Sequence, residues 1–565
     1  MCGIIGYVGE NAVKTAVEKL KLLEYRGYDS AGVAYLKNDK ILCEKAVGRI
    51  INLQSKLKEE GRVAIAHTRW ATHGVVNETN AHPHFHGNNW AIVHNGIIEN
   101  YKTLKGDEKF ISETDSETIA FLLEKNGKGL KSVTQTISKL DGSFAFLALC
   151  KDGTLYAVKN KSPLFLAKKK GEVMISSDPS CFTNFSCYYY TFSDGQIAEI
   201  KKGQVKFFDS NGEKISLKKH KLCIDNERSD IAKDESFMRK EIYDIPYVLQ
   251  SIEKIYNTEF LANQLRLFSK YEKIFFIGCG TAYHACLYGS LVFNKNTSLD
   301  SRALVAGEMR YGDDKVDDKS VCFFISQSGE TADTLGCVDK AKEKGAYTVA
   351  LTNVGYSTLA SKCDLVLPTL AGIERAVAST KAYVAQIVIL KKLAFSILGI
   401  KSYEIIERED VERLENEAIL CAKFIQNEKS LFLLGRKTDY VTAKESALKI
   451  KEVSYINANA YQASELKHGF IALIEKDSVV ITYATEPALL TKSVSSALEA
   501  KARGAYGILV SSLYCENGDE FDRIITVKTQ IESIVFSQLL ALHLAKNLGK
   551  NIDMPKNLAK SVTVE

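Results

Sequence analysis

The sequence predicts an α/β multidomain protein in which a strand-rich N-terminal part precedes two doubly wound parallel-sheet subdomains. Residues 1–220 contain short β-type runs, such as VAIAHT, WAIVHNG and SFAFLALC, which Gly, Asn and Asp turns separate. Residues 246–400 and 401–549 instead alternate apolar strands with helices. This alternation is typical of a parallel sheet that helices cover on both faces.

The length of the chain agrees with this division. At 565 residues it exceeds what one hydrophobic core fills, so we expect about three domains of roughly 150–200 residues each. A weak internal repeat of about 155 residues runs from KIFFIGCG to SLFLLGR. The charged residues 221–245 predict a linker that leads into a helix, and residues 550–565 predict an extended tail.

Composition argues against several classes of protein. The net charge is only +5, and no Lys/Arg cluster alternates with aromatic residues, so we expect no nucleic-acid partner. The sequence has no apolar run of about 18 residues and no basic-then-apolar leader, so we expect neither a membrane span nor export. Thirteen scattered cysteines without a C-x-x-C pair fit reduced thiols, and we expect a cytoplasmic protein.

The segment SQSGET follows the apolar strand VCFFI and precedes a helix. Hydroxyls, an amide and backbone N–H groups at a helix N-terminus favour a phosphate anion. The alternative is an ordinary N-cap with Glu330 in a capping box, but three hydroxyls and a glycine within six residues favour phosphate. The turn GCGT approaches the same crevice, and it lacks the third glycine of a dinucleotide-binding turn. The candidate phosphate-binding residues are Ser326, Gln327, Ser328 and Thr331.

Three charged residues of the segment KESALKIKEV fall on one helical face. Glu445, Lys449 and Glu452 stand at positions i, i+4 and i+7. The alternative is a solvated ladder of ion pairs, which is the commoner outcome for this spacing. His468 in SELKHGF and Lys560 in the tail are further candidates, and the alternatives for them are a structural histidine and a solvent-exposed lysine.

The chain opens MCGIIG, which suggests an N-terminal nucleophile. Removal of Met1 leaves Cys2 with both a thiol and a free α-amine, and such an amine has a pKa of about 8. The amine can accept the proton of the thiol while the thiolate attacks a carbonyl carbon. The alternative is that Cys2 is a small apolar residue at the head of a buried strand.

Polar loops between the N-terminal strands offer groups that match an amino-acid amide. Arg69 can hold a carboxylate through two hydrogen bonds, and Asp115 can hold an ammonium group. Asn95 and Gly96 can direct a side-chain amide and a backbone N–H to a developing oxyanion. With a nucleophile, these groups describe glutamine as the ligand. The H-x-H-x-H run at 82–86 lacks the second ligand group of a usual metal site, so we expect no metal there.

Ten segments that span the chain carry a family resemblance: MCGIIG, LEYRGYDSAG, AHTRWATHG, NAHPH, HNGIIEN, SETD, ISQSGETADTL, VASTKAY, ELKHG and NLAKSVTVE. In these segments the sequence resembles the isomerising glutamine–fructose-6-phosphate aminotransferases. The resemblance implies an N-terminal-nucleophile glutaminase domain of αββα type followed by two sugar isomerase (SIS) subdomains. It implies that L-glutamine and D-fructose 6-phosphate become L-glutamate and D-glucosamine 6-phosphate, the first step of hexosamine biosynthesis. It also implies a homodimer and no metal or organic cofactor.

The resemblance also implies roles for individual residues. In the glutaminase domain Cys2 is the nucleophile, Asn95 and Gly96 form the oxyanion hole, and Trp70 takes the position of a gate in an ammonia channel. Glutamine is held by Arg69, Thr72, His73, Gly74 and Asp115. In the sugar site Lys560 forms a Schiff base, Glu452 moves a proton between C1 and C2, and His468 assists ring opening. Glu445 and Lys449 support Glu452, the four residues of SQSGET named above hold the phosphate, and Thr281, Val377 and Ser379 line the sugar pocket.

Two departures and four rival interpretations accompany the resemblance. Ala282 stands where the family usually has Ser, which predicts a weaker affinity for the sugar phosphate, and Phe470 stands where the family has Pro. We find neither the acidic pyrophosphate loop of phosphoribosyl-transferring relatives nor the ATP loop of asparagine synthetases. A deglycase using the sugar domains alone does not need the first 220 residues. A non-catalytic sugar-phosphate sensor gives Cys2 and Lys560 no role.

Overall fold

The computed structural model describes residues 2–58, 60–71, 73–222, 236–268, 270–312, 314–512 and 518–562. These residues form two compact units. The first comprises the described residues of Met1–Asn226 and Ala559–Glu565, and the second those of Glu227–Leu558. The division of the chain between Asn226 and Glu227 lies inside the predicted linker, of which residues 223–235 lie outside the described part.

The first unit contains fifteen described strands and five described α-helices. The strands are β1 (Gly3–Val8), β2 (Ser30–Lys37), β3 (Lys40–Val47), β4 (Val63–Arg69), β5 (His84–Phe85), β6 (Trp90–Ile98), β7 (Gly142–Cys150), β8 (Leu155–Asn160), β9 (Phe165–Lys169), β10 (Glu172–Ser176), β11 (Tyr188–Thr191), β12 (Ile197–Lys201), β13 (Gln204–Phe208), β14 (Lys214–Ile215) and β15 (Lys219–Lys221). The helices are α1 (Ala12–Leu20), α2 (Ile50–Gln54), α3 (Tyr101–Lys105), α4 (Glu117–Asn126) and α5 (Leu130–Ile137).

Two antiparallel sheets face each other in this unit. One has the order β15-β11-β9-β10-β1-β4-β2-β3 and the other β14-β13-β12-β8-β7-β6-β5. Alternate residues of β1 and β4, such as Ile4 and Ile65, pack against Val93 and Leu147 of β6 and β7 in a shared core. Helix α1 covers the first sheet, and α4 and α5 cover the second. The result is the predicted αββα arrangement.

The second unit begins with helices α6 (Phe237–Tyr243), α7 (Ile245–Ile255) and α8 (Thr258–Phe268). The stretch 236–245 of the predicted linker is therefore largely helical, and Met238 and Ile242 are buried in the core of this unit. The first subdomain continues with β16 (Lys273–Gly278), α9 (Thr281–Asn296), β17 (Asp300–Val305), α10 (Ala306–Tyr311), β18 (Ser320–Ser326), α11 (Ala332–Glu343), β19 (Tyr347–Thr352), α12 (Thr358–Lys362), β20 (Leu365–Pro368) and α13 (Lys381–Ile397).

The second subdomain repeats this plan. It contains α14 (Arg408–Ile425), β21 (Ser430–Gly435), α15 (Thr438–Ser454), β22 (Asn457–Gln462), β23 (Val479–Ala484), α16 (Leu490–Lys501), β24 (Tyr506–Ser511), β25 (Arg523–Thr526) and α17 (Gln530–Asn547). The parallel sheets have the matching orders β17-β16-β18-β19-β20 and β22-β21-β23-β24-β25. The predicted internal repeat is confirmed in this topology.

One hydrophobic core joins the two subdomains. It includes strand residues of both sheets and the long helices α13 and α17, which are buried on nearly every face. Their continuous apolar runs, rather than an amphipathic pattern, fit this position between two sheets. Among the helices that the structure describes, none combines the length and the apolar character needed to span a bilayer.

Candidate active sites

The Cys2 thiol lies at the head of β1, next to the end of β4. The Trp70 backbone N–H donates to Cys2 Sγ at 3.3 Å, and the thiol lies 3.5 Å from the Trp70 carbonyl oxygen. Burial raises the pKa of the Cys2 thiol above its ordinary value, against the opposing effects of the Trp70 hydrogen bond and the Arg69 charge. The thiol therefore needs a base that takes its proton before it attacks a carbonyl.

Asn95 and Gly96 lie on β6 and border the same cavity as Cys2. Asn95 Nδ2 donates to the Cys2 carbonyl oxygen at 3.0 Å. Gly96 has a φ of +126°, and a Cβ at this position would lie 1.9 Å from the Ser143 carbonyl oxygen. Only glycine fits there, so β6 can pair closely with β7 while its backbone adopts a conformation that other residues rarely reach.

Arg69 and Asp115 are both buried, and both have backbone partners. The Arg69 guanidinium donates to the His73 carbonyl oxygen and, at 3.4 Å, to that of Gly74. Asp115 Oδ2 accepts the Ile98 backbone N–H at 2.7 Å. The loop that includes His73 and Gly74 is thus held by the arginine itself, which fixes where an incoming carboxylate can meet the guanidinium.

These side chains surround one cavity of about 110 Å³. A thiol, a guanidinium, a carboxylate and an Asn-Gly pair thus meet at a single concave site, and three residues of the C-terminal tail also border it. The lining residues are Cys2, Arg69, Trp70, His73, His82, His94, Asn95, Gly96, Thr114, Asp115, Ser116, Ser162, Pro163, Ala559, Ser561 and Val562.

In the second unit, the SQSGET loop lies between β18 and α11. Ser326 Oγ accepts the Gly329 N–H at 3.0 Å and lies 3.1 Å from Thr331 Oγ1, while Ser328 Oγ accepts the Glu330 N–H at 3.2 Å. The N-cap residue of α11 is Thr331, and within the described chain its side chain makes no capping hydrogen bond.

Glu330 does not form a capping box with this loop. Its Oε1 instead accepts the Thr358 backbone N–H at 2.8 Å. The ordinary capping-box interpretation of SQSGET is therefore wrong, because Glu330 ties the loop to the start of the next helix. The Ser326 and Ser328 hydroxyls accept backbone N–H groups of the loop itself.

A buried acid–base cluster connects α9 with α15. Thr281 Oγ1 donates to Glu445 Oε1 at 3.1 Å, and Lys449 Nζ donates to Thr281 Oγ1 at 3.0 Å and to Glu452 Oε2 at 2.5 Å. Burial alone lowers the pKa of Lys449, but the Glu452 and Glu445 carboxylates outweigh it and raise the pKa above its ordinary value. Glu445, Lys449 and Glu452 therefore belong to a buried hydrogen-bonded network. The alternative interpretation, a solvated ladder of ion pairs, is wrong.

The loop before α13 contains Val377 and Ser379, which were predicted to line the sugar pocket. The Val377 backbone N–H donates to the Asp553 carbonyl oxygen at 3.0 Å, and Ser379 Oγ donates to Glu374 Oε2 at 3.1 Å. Glu374 Oε1 also accepts the backbone N–H groups of Thr380 at 2.9 Å and Ala382 at 3.1 Å. A buried carboxylate thus fixes this loop at the start of α13.

Comparisons with known proteins identify the domains and the family of the chain. A family model described as "Glutamine amidotransferase domain" matches residues 67–184, and one described as "SIS domain" matches residues 267–396 and 424–545. The chain is 39% identical to the glutamine–fructose-6-phosphate aminotransferase [isomerizing] of Caldanaerobacter subterraneus and 38% identical to that of Clostridium tetani, with 100% of each chain covered in both comparisons. The chain belongs to the isomerising glutamine–fructose-6-phosphate aminotransferase family.

A solved structure gives the same assignment for the second unit. The C-terminal domain of glucosamine-fructose-6-phosphate aminotransferase from Francisella tularensis superposes with a TM-score of 0.51 at 30% identity. It covers 57% of this chain, and this chain covers 100% of it. The predicted fold class, a glutaminase domain followed by two SIS subdomains, is confirmed for this member of the aminotransferase family.

Most of the predicted site residues are assembled as two groups. Cys2, Arg69, Trp70, Asn95 and Asp115 line one cavity together with His73 and Gly96, and Gly74 is held at its edge by Arg69. Thr281, Glu445, Lys449 and Glu452 form the other group through direct hydrogen bonds. Thr72 lies outside the described residues.

His468 and Lys560 were also predicted for the sugar site. His468 ends a 3-10 helix, Ala463–His468, and is exposed. Lys560 belongs with the first unit, between tail residues that border the Cys2 cavity. Their roles in a member of the aminotransferase family stay predictions.

Three buried residues were missed from the sequence. His67 contacts Asn95, Glu374 fixes the loop before α13, and His284 Nδ1 lies 2.7 Å from Glu445 Oε2. A signal existed for His284, because it stands three residues after Thr281 and so shares its helical face. His67 lies on β4 in the segment AHTRW, where nothing local distinguishes it from a core histidine.

Proposed function

We propose that this chain converts L-glutamine and D-fructose 6-phosphate to L-glutamate and D-glucosamine 6-phosphate, with ammonia passing internally between two sites. The observation that carries the proposal is the single cavity shared by Cys2, Arg69, Asn95, Gly96 and Asp115. A nucleophile, groups of both charges for an amino-acid end and an oxyanion hole are what the hydrolysis of a side-chain amide requires. The family of the chain supplies the second substrate.

At the first site, removal of Met1 frees the α-amine of Cys2. This amine takes the thiol proton, which burial otherwise holds on sulfur, and the thiolate attacks the amide carbon of glutamine. Asn95 and Gly96 stabilise the oxyanion, and the amine passes the proton to the leaving nitrogen, so that ammonia departs. Water then hydrolyses the thioester left on Cys2 and releases glutamate. Arg69 and Asp115 hold the two charged groups of the amino-acid end, and Thr72, His73 and Gly74 complete that pocket.

Internal passage of ammonia has a chemical reason. Free ammonia in neutral water takes up a proton and loses the lone pair with which it attacks carbon. A closed route that excludes water keeps the nitrogen unprotonated. We assign Trp70, which borders the Cys2 cavity and packs edge-on against Tyr28 with ring centroids 5.6 Å apart, as the gate of this route.

At the second site, SQSGET binds the phosphate of fructose 6-phosphate, and Thr281, Val377 and Ser379 line the sugar pocket. Lys560 forms a Schiff base with the C2 carbonyl and His468 assists ring opening. Ammonia displaces Lys560, and Glu452 moves the proton between C1 and C2. The contacts of Lys449 with both carboxylates support this assignment, because they place a buried cation beside the carboxylate that moves the proton.

The decisive experiment separates the two half-reactions. Intact-mass measurement first establishes that the purified chain begins at Cys2. We expect Cys2→Ala to abolish the release of glutamate and the formation of amino sugar, and Lys560→Arg to abolish only the amino sugar. Amino sugar formed from glutamine at the normal rate by Cys2→Ala refutes the proposal. Sugar-phosphate binding without glutamate release by the unmodified chain favours a sensor.

We also propose that the chain acts as a homodimer in the cytoplasm without a nucleic-acid partner. The evenly distributed net charge of +5 and the family of the chain support this proposal. Sedimentation equilibrium at several concentrations tests it, and a single species at 62.7 kDa contradicts the dimer.

A further inference from the structure

We propose that His67 is a positioning residue for the oxyanion hole, because it holds the Asn95 amide with its nitrogen directed towards Cys2. The inference deepens the proposed function and rests on the role assigned there to Asn95. His67 would touch neither substrate nor the reacting atoms. It acts on the transition state only through the orientation of Asn95.

The hydrogen bonds of His67 define its tautomer. Nε2 lies 2.9 Å from the His94 carbonyl oxygen and 3.1 Å from Asn95 Oδ1. Both oxygens are acceptors, so Nε2 must carry the hydrogen and donate to both. Nδ1 of His67 is buried and, within the described chain, has no hydrogen-bond partner. A neutral imidazole protonated on Nε2 is the form that satisfies these contacts.

The environment keeps His67 in this neutral form. The side chain is fully buried, and burial lowers the pKa of His67 to about 3. The His94 and Arg69 charges also lower the pKa, whereas the hydrogen bonds with the His94 backbone and the Asn95 side chain oppose this effect. The direction of donation at Nε2 therefore stays the same across the pH range in which the enzyme works.

This donor selects one of the two orientations of the Asn95 amide. With Oδ1 facing Nε2, the amide nitrogen faces the Cys2 carbonyl oxygen at 3.0 Å. The flipped amide would set two N–H donors against each other at His67 and two oxygens against each other at Cys2. Among the described residues, Asn95 Oδ1 has no hydrogen-bond partner besides His67.

His67 lies where it can hold the Asn95 side chain rigidly. His67 belongs to β4 of the eight-stranded sheet and Asn95 to β6 of the seven-stranded sheet. Their hydrogen bond therefore crosses the core between the sheets, where neither strand can shift independently. When the thiolate bonds to the amide carbon, the π electron pair moves to oxygen, and the donor that meets this oxyanion is already oriented.

The first test compares two variants of the full-length chain with fructose 6-phosphate present. We expect His67→Phe to lower kcat for glutamate release by about 10- to 100-fold with KM for glutamine changed by less than about threefold, since only the transition state loses a donor. His67→Gln retains an N–H₂ donor, and we expect it to regain most of this loss. The inference is overturned if both variants lose the same factor in kcat while each keeps the thermal midpoint of the unmodified chain.

The second test is a double-mutant cycle. If His67 acts through Asn95, then His67→Phe costs less than about twofold when added to Asn95→Ala, because no amide remains to orient. Multiplicative losses contradict the inference. If Asn95→Ala reduces kcat and His67→Phe does not, the inference fails and the proposed function stands. If Asn95→Ala has no effect, the proposed oxyanion hole itself is wrong.

A transition-state mimic supplies an independent readout. The γ-aldehyde analogue of glutamine adds the Cys2 thiol across its C=O bond and gives a tetrahedral adduct with the oxygen in the oxyanion hole. We expect its Ki to rise in His67→Phe by the same factor as kcat/KM falls, while the Ki of the product glutamate stays unchanged. Equal changes for both inhibitors indicate a merely structural role and overturn the inference.

Discussion

The two SIS subdomains share one topology and differ at the ends of corresponding strands. In each, the first strand ends in a glycine and the next helix begins with a threonine three residues later, at Thr281 and Thr438. The second residue of that helix is Ala282 in the first subdomain and Asp439 in the second. This difference determines whether the helix offers an acceptor to the backbone N–H groups of the neighbouring loop.

Asp439 fills its own loop with a carboxylate. Its Oδ2 accepts the backbone N–H groups of Thr485 at 2.8 Å and Glu486 at 3.1 Å, the first two residues after β23. The matching residues after β18 are Gln327 and Ser328, and the methyl group of Ala282 cannot accept a hydrogen bond. The second loop is thus satisfied from inside the chain, whereas the first suits an external anion.

The candidate acid–base side chains, in contrast, lie in the second subdomain. Helix α15 of the second subdomain carries Glu445, Lys449 and Glu452, whereas the corresponding positions of α9 carry Tyr288, Val292 and Lys295. In the proposed mechanism, one copy of the repeat therefore supplies the loop for the phosphate and the other supplies the acid–base groups. The comparison shows how a duplicated fold can build one site from two specialised halves.

The largest expected effect is on the acid–base half. Lys449→Met leaves Glu445 and Glu452 without their buried cation, so we expect a loss of about 3–5 kcal/mol in unfolding free energy. We also expect amino sugar formation to fall at least about 100-fold, because the carboxylate of Glu452, which is proposed to move the proton, loses the contact that positions it. Scanning calorimetry and an amino sugar assay measure these effects.

The matched control for this change is Lys451→Met, which removes an exposed lysine from the same helix. A raised lysine pKa stabilises the fold at pH values below the ordinary pKa, and this contribution is lost only as the pH rises through the raised value. The difference in stability between the unmodified chain and Lys449→Met should therefore stay constant from about pH 6 to about pH 9. A difference that declines in this range contradicts the assigned charge.

The fold could be predicted from the sequence further than the sites could. Apolar runs such as KIFFIG and SLFLLG, each followed by a glycine turn and a helix, are local signals of parallel strands. The spacing of Glu445, Lys449 and Glu452 is also local. Local periodicity does not show whether such a face is buried, and burial among α9 residues decides that Lys449 is part of a network.

Contacts between distant segments could not be predicted in this way. Asp439 meets a loop 46 residues away, and His67 meets Asn95 across two different sheets. Both contacts depend on how strands and sheets stack, which no residue pattern in either segment records. The individual catalytic roles stay predictions, as do the domain limits at residues 220, 245, 400 and 549.

The second-largest effect comes from moving the carboxylate of the second subdomain into the first. Ala282→Asp should place a negative charge beside the SQSGET loop, where we propose that the phosphate binds. Unit charges about 4 Å apart interact by about 4 kcal/mol at an effective dielectric constant of about 20. We therefore expect KM for fructose 6-phosphate to rise at least about 100-fold, as measured by amino sugar formation.

The control is Ala282→Asn, which has the same shape without the charge and should raise KM far less. Glutamate release measured without sugar should be unchanged in both variants. A KM for Ala282→Asp within threefold of the unmodified value refutes the equivalence of the two loops.

A smaller effect is expected when the second loop loses its internal carboxylate. Asp439→Ala leaves the Thr485 and Glu486 N–H groups without the acceptor that they have now, so we expect a loss of about 1–3 kcal/mol in unfolding free energy. Asp439→Asn keeps one acceptor oxygen and should lose less. Calorimetry measures both, and KM for fructose 6-phosphate should not change. An unaltered thermal midpoint for Asp439→Ala shows that the carboxylate is dispensable.

The smallest effect is expected from Ala282→Ser, which introduces the residue that the family resemblance led us to expect at this position. A hydroxyl on the second residue of α9 can donate one hydrogen bond to the phosphate, and one such bond is worth about 0.5–1.5 kcal/mol. We therefore expect KM for fructose 6-phosphate to fall by about 2- to 10-fold with kcat unchanged, because the phosphate is bound equally in the ground state and the transition state. The control is Ala282→Gly, which adds no donor and should not lower KM. An unchanged KM in Ala282→Ser means that the second residue of α9 does not reach the phosphate, and the equivalence of Ala282 with Asp439 then holds for the fold but not for ligand binding.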